Sequence, residues 1–237
     1  MLAGQGLVTL DQLTLDLPHR ATHGAEDFLV SACNLAAVRL IDAWPDWQDP
    51  VQLLIGPAAS GKTHLARVWQ ARSGARALTD ASLDMTLIEG AGEGAALVVE
   101  DIDRGGYDEK ALFHSLNLAR ERGLSLLLTS RDAPSRLGCA LPDLLSRLNG
   151  LPVVQIGAPD EALLKTVMLK HFADRQLDID PKVLDFLALR IDRSLAAAAL
   201  VVEAVDRAAL ATGRKISRQL IAEALAVTAL PDEGAGG

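Results

Sequence analysis

One run of eight residues constrains this chain more than any other feature: Gly56, Pro57, Ala58, Ala59, Ser60, Gly61, Lys62 and Thr63 match G-x-x-x-x-G-K-[S/T] at every fixed position. The run follows Val51-Gln-Leu-Leu-Ile55, a short apolar stretch of the buried-strand type, and precedes helical spacing over residues 63–71. In that setting the glycines let backbone N–H groups turn inward around phosphate oxygens. Lys62 reaches the terminal phosphates, and the Thr63 hydroxyl can ligate Mg²⁺. The helix that begins there adds its positive dipole end. The plainer alternative is a Gly-rich turn, but the strand–loop–helix context favours a nucleotide cradle, so ATP or ADP with Mg²⁺ is expected.

Such a cradle needs an acidic group at the end of a neighbouring strand to hold the metal's water shell. Ala95-Ala-Leu-Val-Val99 is a second buried-strand run, and Glu100 and Asp101 follow it directly. Glu100 takes the metal-side position in this reading and Asp101 orients or deprotonates the attacking water. The alternative is a pair of acids that merely end a strand. Asp103 reads as solvated surface. Thr129 and Ser130 close the run Leu124–Leu128. There a hydroxyl either touches the γ-phosphate or the attacking water, or simply satisfies the following turn.

Five apolar runs (51–55, 75–78, 95–99, 124–128 and 153–156) alternate with helical patterns at 26–43, 63–71 and 107–122. This alternation predicts an α/β fold, a parallel five-stranded sheet flanked by crossover helices. After Gly157 the style changes. Asp160, Asp180 before Pro181, Ser194 and Ser217 each open a helix, giving four in a row without a strand and an expected C-terminal α-helical lid subdomain. The expected organisation is an arm at 1–20, an αβ nucleotide-binding subdomain at 21–157, a lid at 158–231 and a frayed tail at 232–237.

Charge narrows the partners. The 237 residues carry 23 Lys+Arg against 31 Asp+Glu, a net −8, which argues against sequence-specific gripping of duplex DNA through the chain's own surface. Two cysteines, Cys33 and Cys139, make no disulfide framework. The N-terminus lacks a signal-peptide pattern and no apolar stretch reaches the length that spans a bilayer, so a cytoplasmic protein with no membrane contact is expected. His19 and His23 sit around Pro18 in an extended pattern, which does not make a metal pair. His64 and His114 read as packing or surface residues, Cys33 as core, and Arg120, Arg122, Arg131 and Arg136 as scattered surface arginines.

Taken together, the motifs resemble those of AAA+ ATPases related to the bacterial replication initiator DnaA. The loop continues as Gly61-Lys-Thr-His-Leu65, the form typical of that branch, which adds His64 to the nucleotide-side residues. Leu97-Val-Val-Glu-Asp-Ile-Asp103 is similar to its Walker B stretch, and Leu127-Leu-Thr-Ser-Arg-Asp-Ala-Pro134 to its sensor I segment. The resemblance implies that Arg147, in Leu145-Ser-Arg-Leu148, is the arginine finger. It also implies that Arg193, in Ile191-Asp-Arg-Ser-Leu195, is the nucleotide-facing sensor II arginine, and that Asn34 lies near the adenine. It covers residues 21–230.

Two differences from full-length initiators refine this expectation. Those proteins continue past the lid into a helix-turn-helix domain, for which this sequence shows no counterpart. It adds Gln12-Leu-Thr-Leu-Asp-Leu17, which resembles a sliding-clamp-binding peptide: Gln12 at the rim, with Leu13, Leu15 and Leu17 entering an apolar cleft of the DNA polymerase β subunit. The alternative for this peptide is an edge strand packed on its own domain. Glu100 and Asp101 stand where AAA+ ATPases more often carry Asp and Glu, which implies weak or absent ATP turnover by the chain itself. The resemblance therefore implies a regulator of replication initiation with the clamp and DnaA as partners, self-association, and hydrolysis at a shared interface. An autonomous ATPase such as a helicase loader is the alternative, and a small P-loop kinase a more remote one.

Overall fold

The computed structural model describes residues 28–78 and 88–228. The arm peptide at 12–17 lies outside the described residues. Five strands, β1 (Val51–Ile55), β2 (Arg76–Leu78), β3 (Ala96–Val99), β4 (Ser125–Ser130) and β5 (Val153–Gln155), form one sheet in the order β2-β3-β4-β1-β5. Every pairing is parallel, with Leu53 opposite Leu128 and Val99 also opposite Leu128 across the next ladder. Eight α-helices occur among the described residues: α1 (Leu35–Asp42), α2 (Lys62–Ser73), α3 (Glu109–Arg122), α4 (Pro142–Asn149), α5 (Glu161–Asp174), α6 (Pro181–Ala188), α7 (Leu195–Thr212) and α8 (Arg218–Thr228).

The uninterrupted apolar runs of β1, β3 and β4 are explained by burial on both faces. Side chains alternate along a strand, so Val51, Leu53 and Ile55, with Leu97, Val99, Leu126 and Leu128, face one layer. Leu112 and Leu116 of α3 and Leu144 and Leu148 of α4 cover that layer. Leu54, Val98 and Leu127 face the other, against Ala37 and Ile41 of α1 and Leu65 and Trp69 of α2. Each such fully buried leucine is worth about 1.5–3 kcal/mol relative to exposure. Trp47 stacks on Trp69 at 5.1 Å while Trp44 meets it edge-on at 6.3 Å, which fixes α1 to α2.

The last four helices enclose a separate apolar cluster centred on Met168, Phe172, Leu187, Val202, Val205 and Ile221. Asp160, Asp180, Ser194 and Ser217 accept hydrogen bonds from Leu163, Lys182, Ala197 and Leu220 N–H groups, so all four caps expected from sequence are formed.

Two local readings are corrected. The helix expected from residue 26 begins at Leu35, because Asn34 ties the preceding turn together: its Oδ1 accepts from Ser31 N–H and its Nδ2 donates to the Leu29 carbonyl, both at 2.9 Å. Helix α4 was not expected. Pro142 opens it at the first helical position, and its Leu144 and Leu148 are fully buried.

Candidate nucleotide site

The C-terminal ends of parallel strands are where an open α/β sheet leaves room for a ligand, and the motif residues converge there. The loop 56–61 leaves β1, Glu100 and Asp101 leave β3, and Thr129, Ser130 and Arg131 end β4. Together with the start of α2 they form a cavity of about 220 Å³ lined by Ala58, Ala59, Ser60, Gly61, Lys62, Thr63, His64, Asp101, Arg104 and Arg131.

The loop's geometry is tight. A Cβ on Gly56 would come within 2.8 Å of Ser60 Oγ and 3.0 Å of Ile156 Cβ, so only glycine lets the loop curl this closely on the next strand. Ser60 Oγ is buried with no hydrogen-bond partner while lining the cavity, which is the kind of orphan a bound phosphate satisfies. Lys62 is 5% exposed, and its Nζ reaches back across the loop to the carbonyls of Gly56 at 2.7 Å and Pro57 at 3.0 Å. Burial pushes this ammonium below lysine's ordinary range. The carboxylates of Asp101 and Asp103 partly offset that effect, and Arg131 and Arg104 add to it. The His64 ring stacks on Phe28 at 4.9 Å, which makes it a packing partner of the loop.

The strand ends are cross-tied. Asp101 has left-handed backbone angles (φ 53, ψ 47), and its N–H donates to Thr129 Oγ1 at 2.9 Å. Its Oδ2 sits 2.9 Å from Arg104 Nη2. Asp103, read from sequence as solvated, is instead only 10% exposed: Oδ1 accepts from Arg131 N–H at 2.8 Å and Oδ2 lies 3.9 Å from Arg131 Nε. Ser130 Oγ donates to the Asp132 carbonyl and accepts from Asp132 N–H, both within the following turn. Thr129 and Ser130 are fully buried: the Ser130 hydroxyl satisfies the following turn, while the Thr129 hydroxyl holds the Asp101 backbone across the strands, a tie that neither sequence alternative named.

The carboxylate that reaches the cavity is Asp101, while Glu100 is half-buried. Thr63 and Asp101 supply hard oxygen donors at one cavity, a set that fits Mg²⁺, which takes one or two protein oxygens and completes its shell with phosphates and water. Sequence reasoning missed Arg104 and Arg131. Their signal was position, three residues after the first strand-end acid pair and one after Ser130.

A second, narrower cleft adjoins the first through Ala58 and Ser60. Asn34, Ile156, Gly157, Pro159 and Leu163 line it together with Ser194 and Leu195 at the start of α7. Its walls are largely apolar but enclose only about 10 Å³, and they bring the loop after β1 beside the start of α7. Asn34 is 3% exposed and commits its amide to backbone. Cys33 precedes α1 rather than lying within it, and its sulfur sits 3.1 Å from Ser31 Oγ beside this cleft.

Arg193 is exposed in the residue before the α7 cap. Arg147 is exposed in the last turn of α4. The ion pairs among the described residues do not include Arg147 with Asp143. Arg120 pairs with Asp49 at 3.2 Å and Arg122 donates to the Glu89 carbonyl, so neither contributes to a free basic edge. Burial pushes the Cys139 thiol up, only partly countered by its hydrogen bond with Tyr107, the opposite of what a nucleophile needs. Among the described residues no group of acids, histidines and cysteines could hold a metal alone, and no helix is long and apolar enough to cross a membrane.

No protein-family profile matches the chain. An uncharacterized protein of Haemophilus influenzae is 26% identical over 185 residues, covering 73% of this chain and 80% of that protein. Among solved structures, domain III of the Thermotoga maritima replication initiation protein DnaA superposes with TM-score 0.69 at 19% identity, covering 90% of this chain and 99% of that one. AMPPCP-bound DnaA from Aquifex aeolicus gives TM-score 0.64 at 16% identity, with 88% and 70% covered. The chain has the AAA+ fold of DnaA domain III, with its parallel five-stranded sheet and flanking helices.

Proposed function

We propose that this chain is a nucleotide-binding regulator of replication initiation that docks on the DNA polymerase sliding clamp and promotes hydrolysis of ATP bound to DnaA. The layout, an initiator-like module with an N-terminal clamp peptide, resembles that of Hda, the regulatory inactivator of DnaA. The phosphate cavity, its orphaned Ser60 hydroxyl and the likeness to a DnaA solved with AMPPCP support nucleotide binding.

The observation that carries the regulatory reading is the position of Arg147. It is exposed on α4 and lies outside the lining of the chain's own phosphate cavity, so its guanidinium is available to a neighbour's nucleotide. An arginine inserted at a γ-phosphate offsets charge developing in the transfer and can accelerate hydrolysis by about 10³–10⁵. In this reading Gln12, Leu13, Leu15 and Leu17 hold the chain on the clamp. Lys62 and Ser60 hold the resident nucleotide's phosphates, Thr63 and Asp101 its Mg²⁺, and the adjoining apolar cleft widens to take its base. The resident nucleotide sets the angle of the C-terminal helices, and Arg193, before the α7 cap, reports its occupancy to the sheet.

The deciding assay mixes ATP-loaded DnaA with clamp loaded on DNA and follows ADP formation with and without this chain. Stimulation that disappears in Arg147→Ala, with clamp capture intact, is the expected result. Absence of stimulation by the wild-type chain would sink the proposal, and steady ATP turnover by the chain alone would favour a helicase-loader-like ATPase. Gln12→Ala combined with Leu13→Ala is expected to abolish clamp capture. Lys62→Ala is expected to lose ADP and ATP binding.

A further inference from the structure

Two arginines outside the P-loop motif, Arg104 after β3 and Arg131 after β4, line the phosphate cavity. We infer that Arg104 and Arg131 are the chain's own receptors for a third phosphate, and that they set its preference between a nucleoside triphosphate and a diphosphate. This deepens the nucleotide-site reading above and rests on it.

The argument begins with charge. The loop's N–H groups serve the phosphates nearest β1 and Lys62 reaches the terminal ones, while the ends of β3 and β4 present Asp101, Arg104 and Arg131 to the same cavity. A third phosphate placed there brings more negative charge beside Asp101, and the two arginines add to the positive charge of Lys62 and of Mg²⁺ in offsetting it. Arg104 currently pairs with Asp101 at 2.9 Å and is 60% exposed, so it can exchange the carboxylate for a phosphate oxygen with little burial lost.

Arg131 is anchored differently. Its backbone N–H is held by Asp103 at 2.8 Å, which fixes where the side chain starts, while its guanidinium contacts the same carboxylate only at 3.9 Å. That leaves most of its five donors for a ligand. Guanidinium and phosphate pair bidentately, so both arginines suit a terminal phosphate better than a bridging one. Transfer of Arg104 to the phosphate also releases the Asp101 carboxylate. The same exchange that admits a triphosphate therefore frees the group assigned to metal or water.

Calorimetric titration of the full chain with AMPPCP and with ADP, both with Mg²⁺, tests this directly. Arg104→Ala and Arg131→Ala should each weaken AMPPCP by about 10-fold or more while changing ADP by less than about 3-fold, the difference expected of a charged hydrogen bond made to one ligand only. Arg104→Lys keeps the charge and should recover part of the AMPPCP affinity, and the thermal midpoint of each variant without ligand should match wild type. Equal weakening of both ligands, or no change in either, overturns the inference while leaving the nucleotide site intact. A wild-type chain that binds neither ligand overturns the nucleotide reading and this inference with it.

Discussion

The Thr129 hydroxyl accepts a hydrogen bond from the Asp101 backbone N–H at 2.9 Å, bridging the ends of β3 and β4 beside the cavity that Asp101 lines. Asp101 holds φ 53 there, a conformation that costs a non-glycine residue about 1–2 kcal/mol and so needs such support. Thr129→Val keeps shape and removes the acceptor. It should lower stability by about 1–3 kcal/mol, the penalty for a stranded buried donor, read as a lower urea midpoint. Thr129→Ser should restore most of it, and an unchanged midpoint for the valine variant would show that the tie contributes nothing.

Gly61 has φ +100, and a Cβ built on it would stand 2.6 Å from the Phe28 ring. Gly61→Ala therefore meets both a backbone penalty and a clash, and about 2 kcal/mol or more of stability should be lost. Because Phe28 also stacks on His64, the displaced ring should disturb the start of α2 and weaken ADP binding. Binding equal to wild type would show that the loop tolerates the shift.

His171, half-buried on α5, has its proton affinity pushed below the usual histidine value of 6.5. The causes are burial first and then Arg175, opposed in part by Asp174, with a smaller lowering effect of Lys170. Between that depressed value and 6.5 the unfolded chain binds more protons than the folded one, so stability rises with pH through this window. Acidification through it should lower the thermal midpoint, and the loss is complete below the folded value. His171→Gln should flatten this slope between pH 7.5 and 5, and an undiminished slope would assign it to other groups.

Ser194 Oγ accepts from the Ala197 N–H at 3.0 Å, capping α7 where that helix meets the second, narrow cleft. Ser194→Ala should cost about 1 kcal/mol, and Ser194→Asp should hold or improve stability through the helix dipole. Amide exchange should localise the alanine effect to the first turn of α7. A uniform change across α7 and α8 would mean the cap supports the whole helical group.

Much of this architecture was legible in the sequence. The run 51–55 is β1 as expected, since an apolar segment ending in Gly56 has few other solutions in a chain of this kind. Gly74, Gly123 and Gly213 mark helix ends because each adopts the left-handed cap conformation. Helix α4 was missed because only Leu144 and Leu148 are buried along eight residues, too short a period to stand out. Asp103 was misread because nothing local shows that Arg131, 28 positions later, lies beside it.

By itself the sequence determined the phosphate-loop motif, the α/β alternation and the succession of C-terminal helices. These follow from periodicity, glycine positions and caps, which act over a few residues. Only the tertiary structure decided which charges meet: Asp101 with Arg104, Asp103 with Arg131, and all four acting on Lys62. Parallel strands bring distant segments together at one edge of the sheet, and electrostatic partnership depends on that separation in space.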